Sequence, residues 1–113
     1  MPFIETKTTK TISAAQEASM RKKLGEAISL IRGKSEEWLM LNFCDCARMA
    51  FRGKTGDMAL VSVELLGAAK PEEYDKLTAK ICEIVSEELD VPKDKIYVKY
   101  TELSTWGYNG VNF

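Results

Sequence analysis

The segment MALVSVELL (58–66) sets the architecture, because it starts a second strand–helix–strand pattern halfway along a chain of 113 residues. Its apolar side chains alternate as in a β-strand that buries one face, at Ala59, Val61, Val63 and Leu65. The glycine-containing segment 53–57 precedes it and is typical of a turn. We therefore expect a single domain, 1–113, built from two pseudo-repeats, about 1–57 and 58–113.

The second pseudo-repeat continues with a helix and a strand. Pro71-Glu72-Glu73 predicts a helix start, with proline and acidic residues in the first turn. An apolar stripe at helical spacing follows, formed by Tyr74, Leu77, Ile81, Ile84 and Val85. Asp90-Val91-Pro92 predicts the helix end, because proline cannot continue a helix. The segment 96–101 predicts the next strand.

The first pseudo-repeat has the same order. A strand is predicted at 2–7 and a helix at 13–32, beginning with the capping box Ser13-Ala14-Ala15-Gln16. Gly33 is predicted to stop this helix in a left-handed conformation. A second strand is predicted at 38–46, and a brief extended piece at 49–51.

Two βαβ units predict an α/β fold in which a four-stranded mixed sheet carries both helices on one face. The other face of the sheet is then left uncovered. It carries either Met40, Asn42 and Cys44 or the residues that alternate with them along the strand. The tail 106–113 is rich in aromatic residues, although chain ends without a partner tend to be polar. We therefore expect subunits to meet there in an oligomer.

Composition excludes several classes of protein. A net charge of -1 and the absence of a Lys/Arg cluster argue against nucleic acid as the main partner. No apolar run is long enough to span a bilayer, so membrane insertion is not expected. With no histidine and only three cysteines, neither zinc nor another metal or cofactor is expected. The cysteines predict reduced thiols in a cytoplasmic protein, and the first residues do not resemble a signal peptide.

Pro2 is the candidate catalytic residue. The small proline permits removal of Met1, which leaves a secondary amine at the start of the chain. Burial and nearby cations both lower the pKa of an amine, so this group can be a neutral base near pH ~7. The alternative is that Pro2 is merely a tolerated residue at the start of a strand.

The chain resembles the macrophage migration inhibitory factor family of the tautomerase superfamily. The resemblance runs the whole length, through Met1-Pro2, Gly33-Lys34, Met49-Ala50-Phe51-Arg52-Gly53, Leu66-Gly67, Val91-Pro92-Lys93-Asp94-Lys95-Ile96-Tyr97 and Trp106-Gly107-Tyr108-Asn109-Gly110. It implies a homotrimer whose sheets line a central barrel. It also implies keto–enol tautomerase activity on small aromatic keto acids such as phenylpyruvate and on dopachrome-type quinones, with Pro2 as the base.

The resemblance implies a role for each further site residue. Lys34 would hold the substrate carboxylate or an enolate oxygen, and the backbone of Leu66 would bind substrate. Tyr97, from a neighbouring subunit, would form a pocket wall. The remaining substrate-binding candidates are Phe3 and Trp106, which would line the pocket, and Lys99 at its rim. The alternatives are a solvated charge for either lysine, and core or interface packing for the others.

Three departures from the family pattern bear on function. The Cys-x-x-Cys found in members with thiol–disulfide activity is replaced by Met58-Ala59-Leu60-Val61, and Cys44-Asp45-Cys46 has poor geometry for a disulfide. Lys99 stands where asparagine is frequent, and Trp106 where a smaller aliphatic residue is common.

Two rival functions stay open. One is a cytokine-like protein, secreted without a signal peptide, that binds a cell-surface receptor. The other is hydration or dehalogenation chemistry at Pro2, which needs arginines and an acid that the sequence does not place there.

Overall fold

A computed structural model describes residues 1–113. Six strands and two α-helices follow one another along the chain: β1 Pro2–Thr8, α1 Ala14–Ala27, β2 Met40–Cys44, β3 Ala59–Leu66, α2 Pro71–Leu89, β4 Ile96–Leu103, β5 Gly107–Tyr108 and β6 Val111–Asn112. Short 3-10 turns at Ile28–Leu30, Glu36–Trp38 and Lys93–Lys95 connect them. The strand–helix–strand pattern thus occurs twice, as predicted.

The four long strands form one mixed sheet in the order β2-β1-β3-β4. Within each half the strands are parallel, β1 to β2 and β3 to β4, as a βαβ unit requires. The halves join through antiparallel pairing of β1 with β3, which places Pro2 opposite Leu65. Strands β5 and β6 form a separate two-stranded hairpin at the end of the chain. The predicted α/β fold class is confirmed.

The helix boundaries follow local chemistry. The predicted capping box is present: Ser13 Oγ accepts from the Gln16 amide at 3.1 Å, and Gln16 Oε1 accepts from the Ser13 amide at 2.8 Å. Helix α2 begins at Pro71 and ends at Leu89, where Asp90 adopts a left-handed conformation with φ 56°. Asp90 therefore ends the helix before Pro92 is reached.

The sequence-based boundaries were wrong in three places. Helix α1 stops at Ala27 and tightens into a 3-10 turn, after which Ile31 is extended and buried; Gly33 (φ 83°) belongs to a later turn. Strand β2 spans only Met40–Cys44, and Trp38 belongs to the 3-10 turn Glu36–Trp38 that precedes it. The segment 49–51 forms no strand, and Phe51 makes only an isolated bridge to Lys54.

The core lies between the helices and one face of the sheet. Side chains from every main element meet there, including Ile4, Leu24, Ile28, Val61, Val63, Leu77, Ile81 and Leu89. The opposite sheet face carries mixed side chains, among them the exposed Met40 and Tyr97. Strands β2 and β4 have unpaired outer edges in the single chain. Neither helix combines the length and apolar character needed to cross a bilayer.

Candidate functional site

Pro2 lies at the beginning of β1, where it is buried against the helix-facing side of the sheet. The neighbouring strand holds it in place, because Leu65 is its register partner and the Leu66 amide donates to the Met1 carbonyl oxygen at 3.1 Å. The backbone of Leu66 therefore lies directly beside the start of the chain.

Lys34 approaches the same point from the loop between α1 and β2. A turn closed by the Lys34 amide on the Ile31 carbonyl oxygen (3.1 Å) orients the side chain. Lys34 Nζ then donates to the Leu66 carbonyl oxygen at 2.8 Å. Burial, followed by the hydrogen bond and the charge of Lys34, lowers the pKa of the Met1 α-amino group to about 6. The Met1 α-amino group is therefore largely neutral at pH ~7.

An open cleft of about 640 Å³ lies over Pro2. It is lined by Met1, Pro2, Phe3, Glu37, Trp38, Leu39, Met40, Glu64, Trp106, Gly107 and Tyr108. Trp38 meets Tyr108 edge to face, with ring centroids 5.3 Å apart, and Tyr108 stacks against Phe113 at 6.5 Å. The C-terminal hairpin thus forms an aromatic wall of the cleft, which has the size of a small-molecule site.

Two carboxylates, Glu37 and Glu64, lie at the cleft. Glu64 is the register partner of Phe3 and faces away from the helices. The sequence had suggested no acid near Pro2, so this expectation was wrong. No arginine lines the cleft. The lining is therefore apolar and aromatic with two acids, while Lys34 lies outside the lining, beside the Met1 α-amino group.

Tyr97 and Lys99 lie elsewhere in the chain. Tyr97 is opposite Leu60, and Lys99 is opposite Ser62. Pro2 is level with Leu65, so the two side chains are roughly 16 Å and 10 Å away along the strands. Tyr97 lines a second, apolar pocket of about 180 Å³ and packs edge to face on Phe51, with centroids 4.9 Å apart. A single chain thus gathers the other five predicted residues, namely Pro2, Phe3, Lys34, Leu66 and Trp106, but not these two.

Sequence reasoning missed several residues at the cleft. Trp38 was assigned to a strand, whereas it ends a 3-10 turn that directs it towards the cleft. An aromatic residue directly after Glu36-Glu37, outside any apolar stripe, was the available signal. Tyr108 was expected at a subunit contact, but it also faces Trp38. The residues Glu37, Met40 and Glu64 give no sequence signal, because strand pairing brings Met40 and Glu64 to the start of β1 and the 3-10 turn before β2 brings Glu37.

Comparison with known proteins places these features in context. A family model described as macrophage migration inhibitory factor matches residues 1–113. A solved structure of Leishmania major MIF2 is 30% identical, with a TM-score of 0.94 over 100% of this chain and 97% of that one. The MIF-like protein mif-2 of Caenorhabditis elegans is 28% identical over 90 residues, which is 78% of this chain and 75% of the relative. A homologue from Prochlorococcus marinus shares the fold at 23% identity, with a TM-score of 0.89 over 98% of both chains.

Proposed function

The chain belongs to the macrophage migration inhibitory factor family, and on this premise we propose that it is a keto–enol tautomerase with the N-terminal proline as general base. The proposed substrates are small aromatic keto acids of the phenylpyruvate type and dopachrome-type quinones. The single observation that carries the proposal is the lowered pKa of the Met1 α-amino group, which lies beside Lys34 and next to Pro2 at the edge of an aromatic cleft.

The proposed reaction moves one proton and needs no cofactor. Once Met1 is removed, the neutral Pro2 amine takes a proton from the carbon next to the substrate carbonyl. The electron pair of the broken C–H bond forms the enol double bond, and the carbonyl oxygen gains negative charge. The protonated Pro2 amine then gives this proton to that oxygen, which restores the neutral base, and the reverse sequence regenerates the keto form. The mechanism requires a neutral amine at working pH, and desolvation and Lys34, which lower the pKa of the Met1 α-amino group at the same end of the chain, support it.

Lys34 is the proposed anchor for negative charge. Its ammonium uses one donor on the Leu66 carbonyl oxygen, which leaves two donors for a substrate carboxylate or an enolate oxygen. Glu37 and Glu64 would repel a carboxylate, so the substrate should place its carboxylate towards Lys34. Its ring would then lie among Phe3, Trp38 and Trp106, where stacking is favourable.

We further propose that three chains assemble and that a neighbour supplies Tyr97 to each Pro2 site. The uncovered sheet face, the unpaired edges of β2 and β4, and exposed aromatic side chains all support assembly. Tyr97 is 61% exposed and Phe113 is 55% exposed, so both have area to bury. Because Tyr97 is distant from Pro2 in its own chain, the proposed site is complete only in the trimer.

The experiment is a phenylpyruvate tautomerase assay on the wild type and on Pro2→Gly, after mass spectrometry has verified removal of Met1 from both. Pro92→Ala is the matched control, since it removes a proline far from the cleft. We expect roughly 100-fold loss of kcat/KM in Pro2→Gly and little change in Pro92→Ala. Activity that is absent from the wild type, or unchanged in Pro2→Gly, would refute the proposal.

A further inference from the structure

The first turn of α2 makes contacts that the proposed reaction does not use. The Glu73 carboxylate accepts two backbone hydrogen bonds, from the Lys70 amide at 3.0 Å and from the Arg32 amide at 2.7 Å. The first caps its own helix. The second reaches a residue 41 positions earlier in the sequence, in the loop that follows α1. Glu73 therefore joins two loops that are otherwise far apart along the chain.

One of these loops carries the donor of a contact at the site, and the other begins directly after the acceptor of that contact. Arg32 immediately precedes Gly33 and Lys34, in the turn that the Lys34 amide closes on Ile31. Lys70 ends the loop that begins after Leu66, whose carbonyl oxygen accepts from Lys34 Nζ. Glu73 thus connects the turn that carries Lys34 to the loop that follows Leu66. In this way it fixes the position of the Lys34 backbone relative to the Leu66 carbonyl group.

Tyr74, the next residue, secures the same loop from the other side. Its hydroxyl donates to Glu102 Oε2 at 2.5 Å and accepts from the Ala69 amide at 3.2 Å. Its ring packs on Tyr100, with centroids 4.5 Å apart. Tyr74 therefore ties the loop between β3 and α2 to β4, and Glu73 holds Arg32 from this anchored position.

We propose that Glu73 is a positioning residue for the Pro2 site, which holds the Lys34 ammonium against the Leu66 carbonyl and beside the N-terminal amine. The inference rests on the proposed function for its kinetic consequence, but not for its effect on the amine. The Lys70 and Arg32 amides lower the pKa of the Glu73 carboxyl, so it is ionised at neutral pH and accepts both bonds. If Arg32 is released, Lys34 can move away, and a displacement of about 1 Å can cost up to ~100-fold in rate.

The test is Glu73→Gln, with Glu72→Gln as the matched control. Both substitutions remove one negative charge from the first turn of α2, but the Glu72 side chain makes no hydrogen bond. In Glu73→Gln the amide group offers a donor to one of the two backbone amides, so only one bond can persist. Glu73→Asp retains the charge but has a shorter reach towards Arg32, and it serves if Glu73→Gln folds poorly.

The decisive measurement is the pKa of the Pro2 amine. It is determined by NMR titration of protein that contains isotope-labelled proline, in the absence of substrate. We expect Glu73→Gln, or Glu73→Asp in its place, to raise this pKa and to increase KM for phenylpyruvate roughly ten-fold, more than it lowers kcat. Glu72→Gln should change neither quantity. In a Lys34→Met background, Glu73→Gln should produce no further rise in the pKa, because it acts through Lys34.

Two results would overturn the inference: an unchanged Pro2 pKa in the Glu73 variants, or an equal rise with and without Lys34. Neither depends on tautomerase activity. A protein inactive on phenylpyruvate that still shows the Lys34-dependent rise would refute the proposed substrate class but support the role of Glu73.

Discussion

Lys34 donates from its Nζ to the Leu66 carbonyl oxygen at 2.8 Å, and this bond links the loop after α1 to the end of β3 directly beside the start of the chain. The Leu66 amide donates in turn to the Met1 carbonyl oxygen at 3.1 Å. One residue of β3 therefore fixes both the cation of the site and the strand that carries the amine. This arrangement explains why the charge of Lys34 acts on that amine.

Lys34→Met should impair substrate binding and raise the pKa of the Pro2 amine. The substitution retains a long side chain but removes the charge that disfavours the protonated amine. Because only the neutral amine is a base, the acid limb of the pH profile should move to higher pH. We expect kcat/KM at pH ~7 to fall ~10-fold or more, the scale of a lost hydrogen bond to a charged group. The control is Lys22→Met on the exposed surface of α1, and an equal loss in both variants would contradict a specific role for Lys34.

Lys99→Asn tests whether Lys99 lies at the rim of a neighbour's site. Lys99 leaves the same face of β4 as Tyr97 and has no ion-pair partner within its chain. At such a rim, its charge would attract a carboxylate and disfavour a protonated Pro2. We expect KM for phenylpyruvate to rise up to about five-fold and the lower pKa of the profile to rise, both more at low salt than at high salt. An unchanged profile at low ionic strength would leave Lys99 as a surface charge.

Removal of residues 106–113 should weaken both assembly and catalysis. The hairpin supplies Trp106 and Tyr108 to the cleft, and Phe113 stacks on Tyr108. No member of the buried core cluster lies beyond Ile96, so the fold itself should persist, as circular dichroism can verify. We expect smaller species in sedimentation and roughly ten-fold or greater loss of kcat/KM. A truncated protein that is fully active as a monomer would contradict the proposed shared site.

Gly25→Ala tests a close contact between α1 and the loop before β2. A Cβ at Gly25 would lie 1.8 Å from Glu36 Oε2, but Glu36 is exposed and its carboxylate can swing away. Alanine is more favourable than glycine inside a helix by ~1 kcal/mol. We expect urea unfolding to show a net gain of roughly 0.5 kcal/mol. The double variant Gly25→Ala/Glu36→Ala lacks the contact, so a loss of stability there would mean that the helix itself requires glycine.

Periodicity predicted the layered fold because it records which face of each element is buried. The alternation in 58–66 and the capping box at Ser13 are local signals, and both appear in the structure as predicted. The end of α1 could not be predicted in the same way. Gly33 is compatible with a helix stop, but the burial of Ile31 in an extended conformation ends the helix earlier.

Residues of the candidate site could be predicted only where the residue type itself suggests a chemical role. Pro2 and Lys34 are predicted from an amine and a cation, with the family resemblance as a guide, and in the structure Lys34 lies beside the α-amino group of Met1, the residue before Pro2. Glu73 and Glu64 were not identified, because an acid on a helix or a strand is ordinarily a solvated charge. Their positions depend on which loop or strand folds beside them, and a local pattern does not record this.

The central claim is that a Pro2 amine of lowered pKa is the base, and the most direct measurement is its titration by NMR in protein with isotope-labelled proline. The chain has three prolines, and only Pro2 can carry a titrating amine once Met1 is removed. We predict a midpoint well below the ~8 of an ordinary α-amino group, equal to the pKa of the acid limb of kcat/KM for phenylpyruvate. A midpoint at or above ~8, or an acid limb that does not follow it, would contradict the account.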